Sequence, residues 1–312
     1  MQIAYDARWL SRWEPQSSSS RTEGTRMADK IVTPRRQRLG QVLRSLREAT
    51  GKTGTQTAEE LGWSAAKVSR IETALTLPSE DDIAVLIDHY GNDTVTLQKV
   101  LKLRHDATQK GWWEKYGESL TPGYAAYISL EAEATEMRNW EPMIFPGLLQ
   151  TPAYARYLVG RTIHPVVKIP PAFVRDRVEV RMRRQQTLLY GDKPIQLQVV
   201  FDESVLRRDI GDPEVMLEQL RYVIELTELP NVELRISPLG TPSPAPWGSF
   251  VHLRFADLPD VVYLEDPEGG RFGSNPEHVF GYENAFDELM EVALDRQASV
   301  RLIQESMAQW QA

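Results

Sequence analysis

At 312 residues, 41% of them hydrophobic and 26% charged, the chain can bury a substantial core and divide into one to three domains. It has no cysteine, which excludes disulfides, thiolate metal sites and thiol chemistry, and its formal net charge of -8 argues against a uniform nucleic-acid coat but not against a local basic patch. No run approaches a membrane span and no signal-peptide pattern opens the chain, so a cytoplasmic protein is the simplest expectation.

Residues 1–33 predict a disordered arm, with scattered apolar residues, four consecutive serines and the mixed-charge run RTEGTRMADK. Met27 is a candidate biological start, and a basic arm using Arg21, Arg26 and Lys30 on phosphates is the alternative to plain disorder. The stretch PRRQRLGQVLRSLREAT, residues 34–50, predicts a helix with Pro34 in its first turn and Leu39, Val42, Leu43 and Leu46 as its buried stripe. Arg35, Arg36, Arg38 and Arg44 fall around the outside, where solvation competes with phosphate contact.

TGTQTAEELGWSAAKVSRIE, residues 53–72, predicts two short helices joined by a tight turn. Thr53 caps the first and Gln56 closes a capping box; Gly62 ends it in the left-handed conformation. Ser64 caps the second helix, Val68 and Ile71 form its buried stripe, and Lys67, Ser69 and Arg70 remain outside. This is helix-turn-helix geometry, in which the second helix enters the major groove; an ordinary amphipathic hairpin is the bland alternative. A fourth helix follows, capped by Ser79 with Asp82 at its third position and Ile83, Leu86 and Ile87 inward. A fifth runs from 94 to 108, with Leu97, Val100 and Leu101 inward and either Leu103 or His105 beside them.

The run ELGWSAAKVSRIE, followed by Pro78-Ser79, resembles the second and third helices and the start of the fourth in the XRE (lambda repressor and Cro-like) family. That resemblance implies an all-α, five-helix, lambda-repressor-like domain over residues 34–108 that binds double-stranded DNA. It places Ala65, Ala66, Lys67, Ser69 and Arg70 at base-facing or phosphate-facing positions, and makes Arg47 and Glu72 a structural pair between the first and third helices. Arg35, Arg36, Arg38, Thr53, Thr55 and Ser64 complete the expected DNA-binding set. The chain departs from the family at Gly54, where many relatives carry a glutamine that touches the DNA backbone. It departs again at Ala65 and Ala66, which offer only methyl contacts and leave much of the reading to Lys67, Ser69, Arg70 and DNA shape.

Residues 109–123 form an aromatic linker whose Trp112, Trp113 and Tyr116 are too costly to expose and predict packing. Residues 124–139 predict a helix. Glu131, Glu133, Glu136 and Glu141 invite comparison with a carboxylate metal site, but with no histidine nearby no metal is expected. Ile144, Phe145, Leu148 and Leu149 form an apolar plug that closes the core or lines a pocket. Residues 171–190 predict a long helix with Phe173, Val174, Val178, Met182 and Leu189 inward. Its Arg175, Arg177, Arg181, Arg183 and Arg184 form a basic surface that is solvated, binds an acidic partner or ligand, or extends the DNA footprint.

A strand over 195–201, a short helix, a helix over 213–229 and the strands in VELRISPL, WGSFVHLRFADL and VVYLED follow. This order predicts an α+β (mixed α/β) domain over 124–312 with a parallel strand pair. The loop TPSPAPWG, with Trp247, reads as a lid or interface, and helices near 276–292 and 296–309 close the chain, with Trp310 a candidate oligomer contact. The segments WWEKYGESL, YISLEAEATEMRNWEPMIFPGLLQTPAYAR and VRMRRQQTLL resemble the uncharacterised C-terminal domain joined to XRE domains in actinobacterial regulators, WhiJ-like developmental regulators among them. That resemblance implies a regulator often found beside a small partner protein, and carries no assigned chemistry.

No catalytic set stands out. Ser204 in FDES is no nucleophile elbow, GGRFG at 269–273 is no phosphate loop, and His252 sits among apolar residues as a satisfied sheet histidine does. Asp202, Glu203, Glu265 and Asp266 gather at strand ends, where sites and solvated acids are equally at home. The expectation is a DNA-binding transcriptional regulator, not an enzyme and without a cofactor, that works as a homodimer because two recognition helices double the contacts. Arg177, Arg181, Arg184 and Trp247 are its candidate surface for a small partner protein or small-molecule effector. The alternative is a protein-interaction or antitoxin-like module with weak autoregulatory DNA binding.

Overall fold

The computed structural model describes residues 34–109, 111–162, 169–242, 245, 248–256, 258–265 and 270–311, so the 1–33 arm, Trp247 and Asp266 lie outside the described residues. The first part is all-helical: α1 (Pro34–Ala49), α2 (Gly54–Glu60), α3 (Ala65–Glu72), α4 (Glu80–His89) and α5 (Thr94–Thr108). Local chemistry sets most of these ends. Thr53 and Ser79 each close a capping box, with Gln56 and Asp82, while Ser64 and Asp93 cap α3 and α5 through one side-chain oxygen. Leu39, Leu43, Ile71, Ile83, Leu86, Ile87, Tyr90 and Val100 are buried together as the core of this bundle. Gly40 lets α1 approach the end of α3, since a Cβ there would lie 2.5 Å from the Glu72 carbonyl oxygen.

The linker packs, as its aromatic content requires. Tyr116 and Leu120 are buried with Ile128 and Val180, and Trp112 and Trp113 lie against them. Beyond it come α6 (Pro122–Glu131), β1 (Glu136–Glu141), α7 (Pro152–Thr162), α8 (Pro171–Tyr190), β2 (Gln196–Asp202), α9 (Pro213–Leu226) and β3 (Val232–Ser237). The chain finishes with β4 (Phe250–Arg254), β5 (Val261–Leu264), β6 (Arg271–Gly273), α10 (Pro276–Val292) and α11 (Arg296–Gln309). One six-stranded sheet runs β3-β2-β1-β4-β5-β6. The pairs β1–β2 and β2–β3 are parallel and the other three antiparallel. The molecule is therefore a helical domain followed by an α+β domain.

The sheet has two unlike faces. Met137, Leu197, Val199, Phe201, Leu234, Leu253 and Tyr263 form one buried cluster with residues of α6–α9 and α11. Trp140, Val200, Phe250 and Val262 meet Phe286 and Leu289 of α10 on the other. The same face carries ion pairs that reach α10: Arg138 pairs with Glu136 at 2.8 Å and with Asp287 of α10 at 3.0 Å, and Arg235 pairs with Glu233 at 2.7 Å and donates to the Met290 carbonyl of α10 at 3.0 Å.

The expected helix over 124–139 needs correcting. It ends at Glu131, and Glu136–Glu141 is the central strand β1, paired on both sides. Helical propensity loses there because Met137 and Trp140 bury on opposite sheet faces and the backbone pairs with two neighbours. Helix α7 and strand β6 are additions to the elements expected from the sequence. The apolar plug closes the core, with Phe145, Leu148 and Leu149 buried in the main cluster.

Candidate nucleic-acid interface

The turn between α2 and α3 is fixed by the backbone. Gly62 sits at φ +66°, its N–H donates to the Glu59 carbonyl at 3.2 Å, and the Trp63 N–H reaches back to the Ala58 carbonyl at 2.7 Å, a Schellman closure. Ser64 then starts α3 by accepting the Lys67 N–H at 3.2 Å. Val68 and Ile71 hold the back of α3 in the core. Ala65, Ala66, Ser69 and Arg70 are all exposed, and their spacing of one and four puts them on a single ridge. Thr53, Thr55 and Ser64 are exposed at the helix starts beside it. The ridge thus combines two methyls, a hydroxyl and a guanidinium, groups that match thymine methyls, base or phosphate oxygens and guanine respectively.

Arg47 is buried and locks the scaffold behind this ridge. Its Nε and Nη2 donate to the two carboxylate oxygens of Glu72 at 2.7 and 2.9 Å, and its Nη1 donates to the Lys52 carbonyl at 2.7 Å. The hydrogen-bonded Glu72 carboxylate holds the Arg47 guanidinium in its charged form, raising its pKa.

Other cations of the domain are already engaged. Lys67 donates to Asp82 at 2.6 Å and lies 3.5 Å over the Trp63 ring. Arg44 pairs with Glu48 at 2.8 Å, and Arg35 with Glu133 of the following domain at 2.7 Å. Residues 34–108 hold 11 Lys and Arg against 10 Asp and Glu, while residues 109–312 hold 20 against 30. The acid of the chain therefore lies in the second domain, and the helical domain is close to neutral. Arg70 is the exposed cation of α3, with no hydrogen-bond or ion-pair partner among the described residues. Arg36 is half-buried and Arg38 exposed on α1.

The second-domain candidates separate. Arg184 is not at the surface: it is 4% exposed, and its Nε donates to Glu131 at 2.6 Å while its Nη1 donates to the Tyr124 hydroxyl at 2.6 Å. The helical spacing put it on a basic stripe, but the partner that draws it inward lies 53 positions away. Arg177 and Arg181 are half-buried on the same helix.

The four glutamates compared with a metal site are dispersed. Glu131 serves Arg184, Glu133 serves Arg35, and Glu136 serves Arg138 and Arg254. Glu141 is buried at the end of β1. Burial, with the Glu265 carboxylate second, pushes its pKa up to about 8 against a hydrogen bond from Ser249. His252 is fully buried, with Nε2 3.1 Å from Asp260, and burial lowers its pKa. Among the described residues no three His, Asp or Glu side chains gather as a metal would require, and no helix is long and apolar enough to cross a membrane.

A helix-turn-helix domain family matches residues 38–99, and a domain of unknown function, DUF5753, matches residues 124–305. No curated protein and no solved structure matches the chain.

Proposed function

We propose, for a chain that belongs to the DUF5753 family and carries a helix-turn-helix domain ahead of that family's domain, a function as a sequence-specific DNA-binding transcriptional regulator. The observation that carries this reading is the ridge of Ala65, Ala66, Ser69 and Arg70, exposed on a helix whose opposite side is held in a core. A recognition helix needs that arrangement: a rigid back and a front free to enter the major groove. In this reading the protein is a cytoplasmic homodimer, and the second domain dimerises and receives a small-molecule or protein signal. The kinship with WhiJ-like actinobacterial regulators belongs to the same reading and rests on the segments around Trp112, residues 127–156 and residues 180–189. No catalytic step is assigned.

Selection of genomic fragments bound by the purified full chain at fixed salt tests it. The expected result is a short inverted repeat with half-sites about one helical turn apart, roughly 34 Å. Sedimentation of a monomer both free and DNA-bound would remove the dimer. A second reading, a protein-interaction or antitoxin-like module, is favoured by one observation: Lys67 and Arg35 already spend their charges on Asp82 and Glu133. Absence of any enriched fragment, with a tight protein partner retained, selects that reading.

A further inference from the structure

Arginines 177, 181 and 184 lie at positions i, i+4 and i+7 of α8, one stripe that faces the linker and α6. Among the described residues one of the three has a carboxylate partner: Glu131 neutralises Arg184. The Arg177 Nε donates to the Ser119 carbonyl at 2.6 Å, a neutral acceptor, and that is its one hydrogen bond among the described residues. Arg181 has no hydrogen bond or ion pair among the described residues, and its Nη1 is shut off from solvent with no acceptor. The acids of α8 are spent elsewhere. Asp176 takes the Ser119 hydroxyl, and Glu179 takes the Tyr116 hydroxyl at 2.5 Å and lies 3.7 Å from Lys115. Burial, reinforced by the positive charge of Arg181, lowers the pKa of Arg177.

Two half-buried guanidiniums one turn apart repel each other, and a buried donor without an acceptor carries its full desolvation cost. We propose that Arg177 and Arg181, beside Ser119 of the linker and Tyr124 of α6, form a binding site for a phosphate dianion, free or carried by a phosphorylated small molecule. Two uncompensated positive charges match a dianion, and the free guanidinium N–H groups outnumber what one carboxylate could accept. The linker joins the helical domain to the sheet domain, so the occupant would bridge α8 to the segment that connects them. The site deepens the reading of the second domain as a signal receiver and rests on that part of it. It does not require that the chain bind DNA.

The test uses the full chain, thermal melting and direct calorimetry, with inorganic phosphate, a simple phosphomonoester and acetate at matched ionic strength. Phosphate or the phosphomonoester should stabilise the protein saturably, and whichever acts at lower concentration identifies the source. Arg181→Gln should weaken that affinity roughly tenfold or more, as expected for one lost charge-assisted partner, while Arg181→Lys recovers part of it. In phosphate-free buffer Arg181→Gln should melt higher than the parent, because repulsion and a stranded donor are gone. A merely structural arginine gives the opposite shift. If Arg181→Gln fails to fold, a phosphate response undiminished in both Arg177→Gln and Arg181→Lys overturns the site. So does an equal response to acetate, or no saturable response in the parent chain. Weaker nonspecific DNA binding by Arg181→Gln, with phosphate inert on the parent, would assign the pair to the DNA footprint and overturn the proposal. Calorimetry of the anion is read without DNA, so failure of DNA binding leaves this result standing.

Discussion

Arg47 and Glu72 lie 25 positions apart and meet through two hydrogen bonds, both side chains about nine-tenths out of solvent. Removing one partner strands the other charge, so Glu72→Met should cost about 3–5 kcal/mol in urea unfolding. The double replacement Arg47→Met, Glu72→Met should recover much of that loss, and simple additivity of the two single losses would refute the coupling. Glu141 makes a pH prediction. Its folded pKa of about 8 stands above the ordinary carboxylate value because burial, then Glu265, disfavours the anion. The folded state therefore holds a proton that the unfolded chain has lost. The stability contributed by this proton is complete below the ordinary carboxylate pKa and disappears as pH rises through about 8. Glu141→Gln should flatten the fall of melting temperature between about pH 5 and 8, and an unchanged slope would show that Glu141 ionises freely. Of these residues, the Arg47–Glu72 pair was legible through the XRE resemblance. Glu141 and Arg184 were not, because their surroundings come from Ser249, Glu265 and Glu131, distant in sequence.

At the scale of elements, helix ends were legible because their causes are local. Thr53 with Gln56, Gly62, and Ser79 with Asp82 each lie within three residues of the boundary they set. Ser64→Ala should cost about 1 kcal/mol in the unfolding of the helical domain, since the Lys67 N–H loses its acceptor. An unchanged transition would mean that packing alone holds the turn. Strand β1 was illegible for the opposite reason. Its sequence EMRNWE has no strict alternation, and its strand character comes from pairing with β2 and β4, both remote in the chain. Helices α8, α10 and α11 fall between: their spans were legible, but their buried faces only in part. In α8 the spacing pointed to Phe173, Val174, Val178, Met182 and Leu189; of these Val178 and Leu189 are buried and the other three half-buried, while Val180, Leu188 and Arg184 went unread.

Across the whole molecule, charge is divided between a nearly neutral helical domain and an acidic sheet domain, and the two touch where Arg35 meets Glu133 at 2.7 Å. That pair is exposed, so its own contribution to stability is about 0–1 kcal/mol. In the proposed function it would also matter to binding, because it would withhold a guanidinium from the phosphates. If the chain binds DNA as proposed, Glu133→Gln should steepen the salt dependence of DNA affinity by about 0.9, one released phosphate contact. An identical slope would mean that Arg35 never reaches DNA.

The position of β1 at the centre of the sheet also governs the order in which the chain can assemble. Asn139 waits for Phe250, 111 positions downstream, whereas the core of the first domain is drawn wholly from residues 34–108. Long loop closures are slow and local contacts fast. A chain emerging from the ribosome thus completes its helical domain early, while Trp140 remains without its cover until Phe250 and α10 have been made. Pulsed hydrogen exchange during refolding should find α1–α5 protected before β1, and simultaneous protection would refute that order. A truncated product that stops before β4 would carry a finished helix-turn-helix on an unfinished sheet, and the cell would meet it as a client for chaperones or proteases.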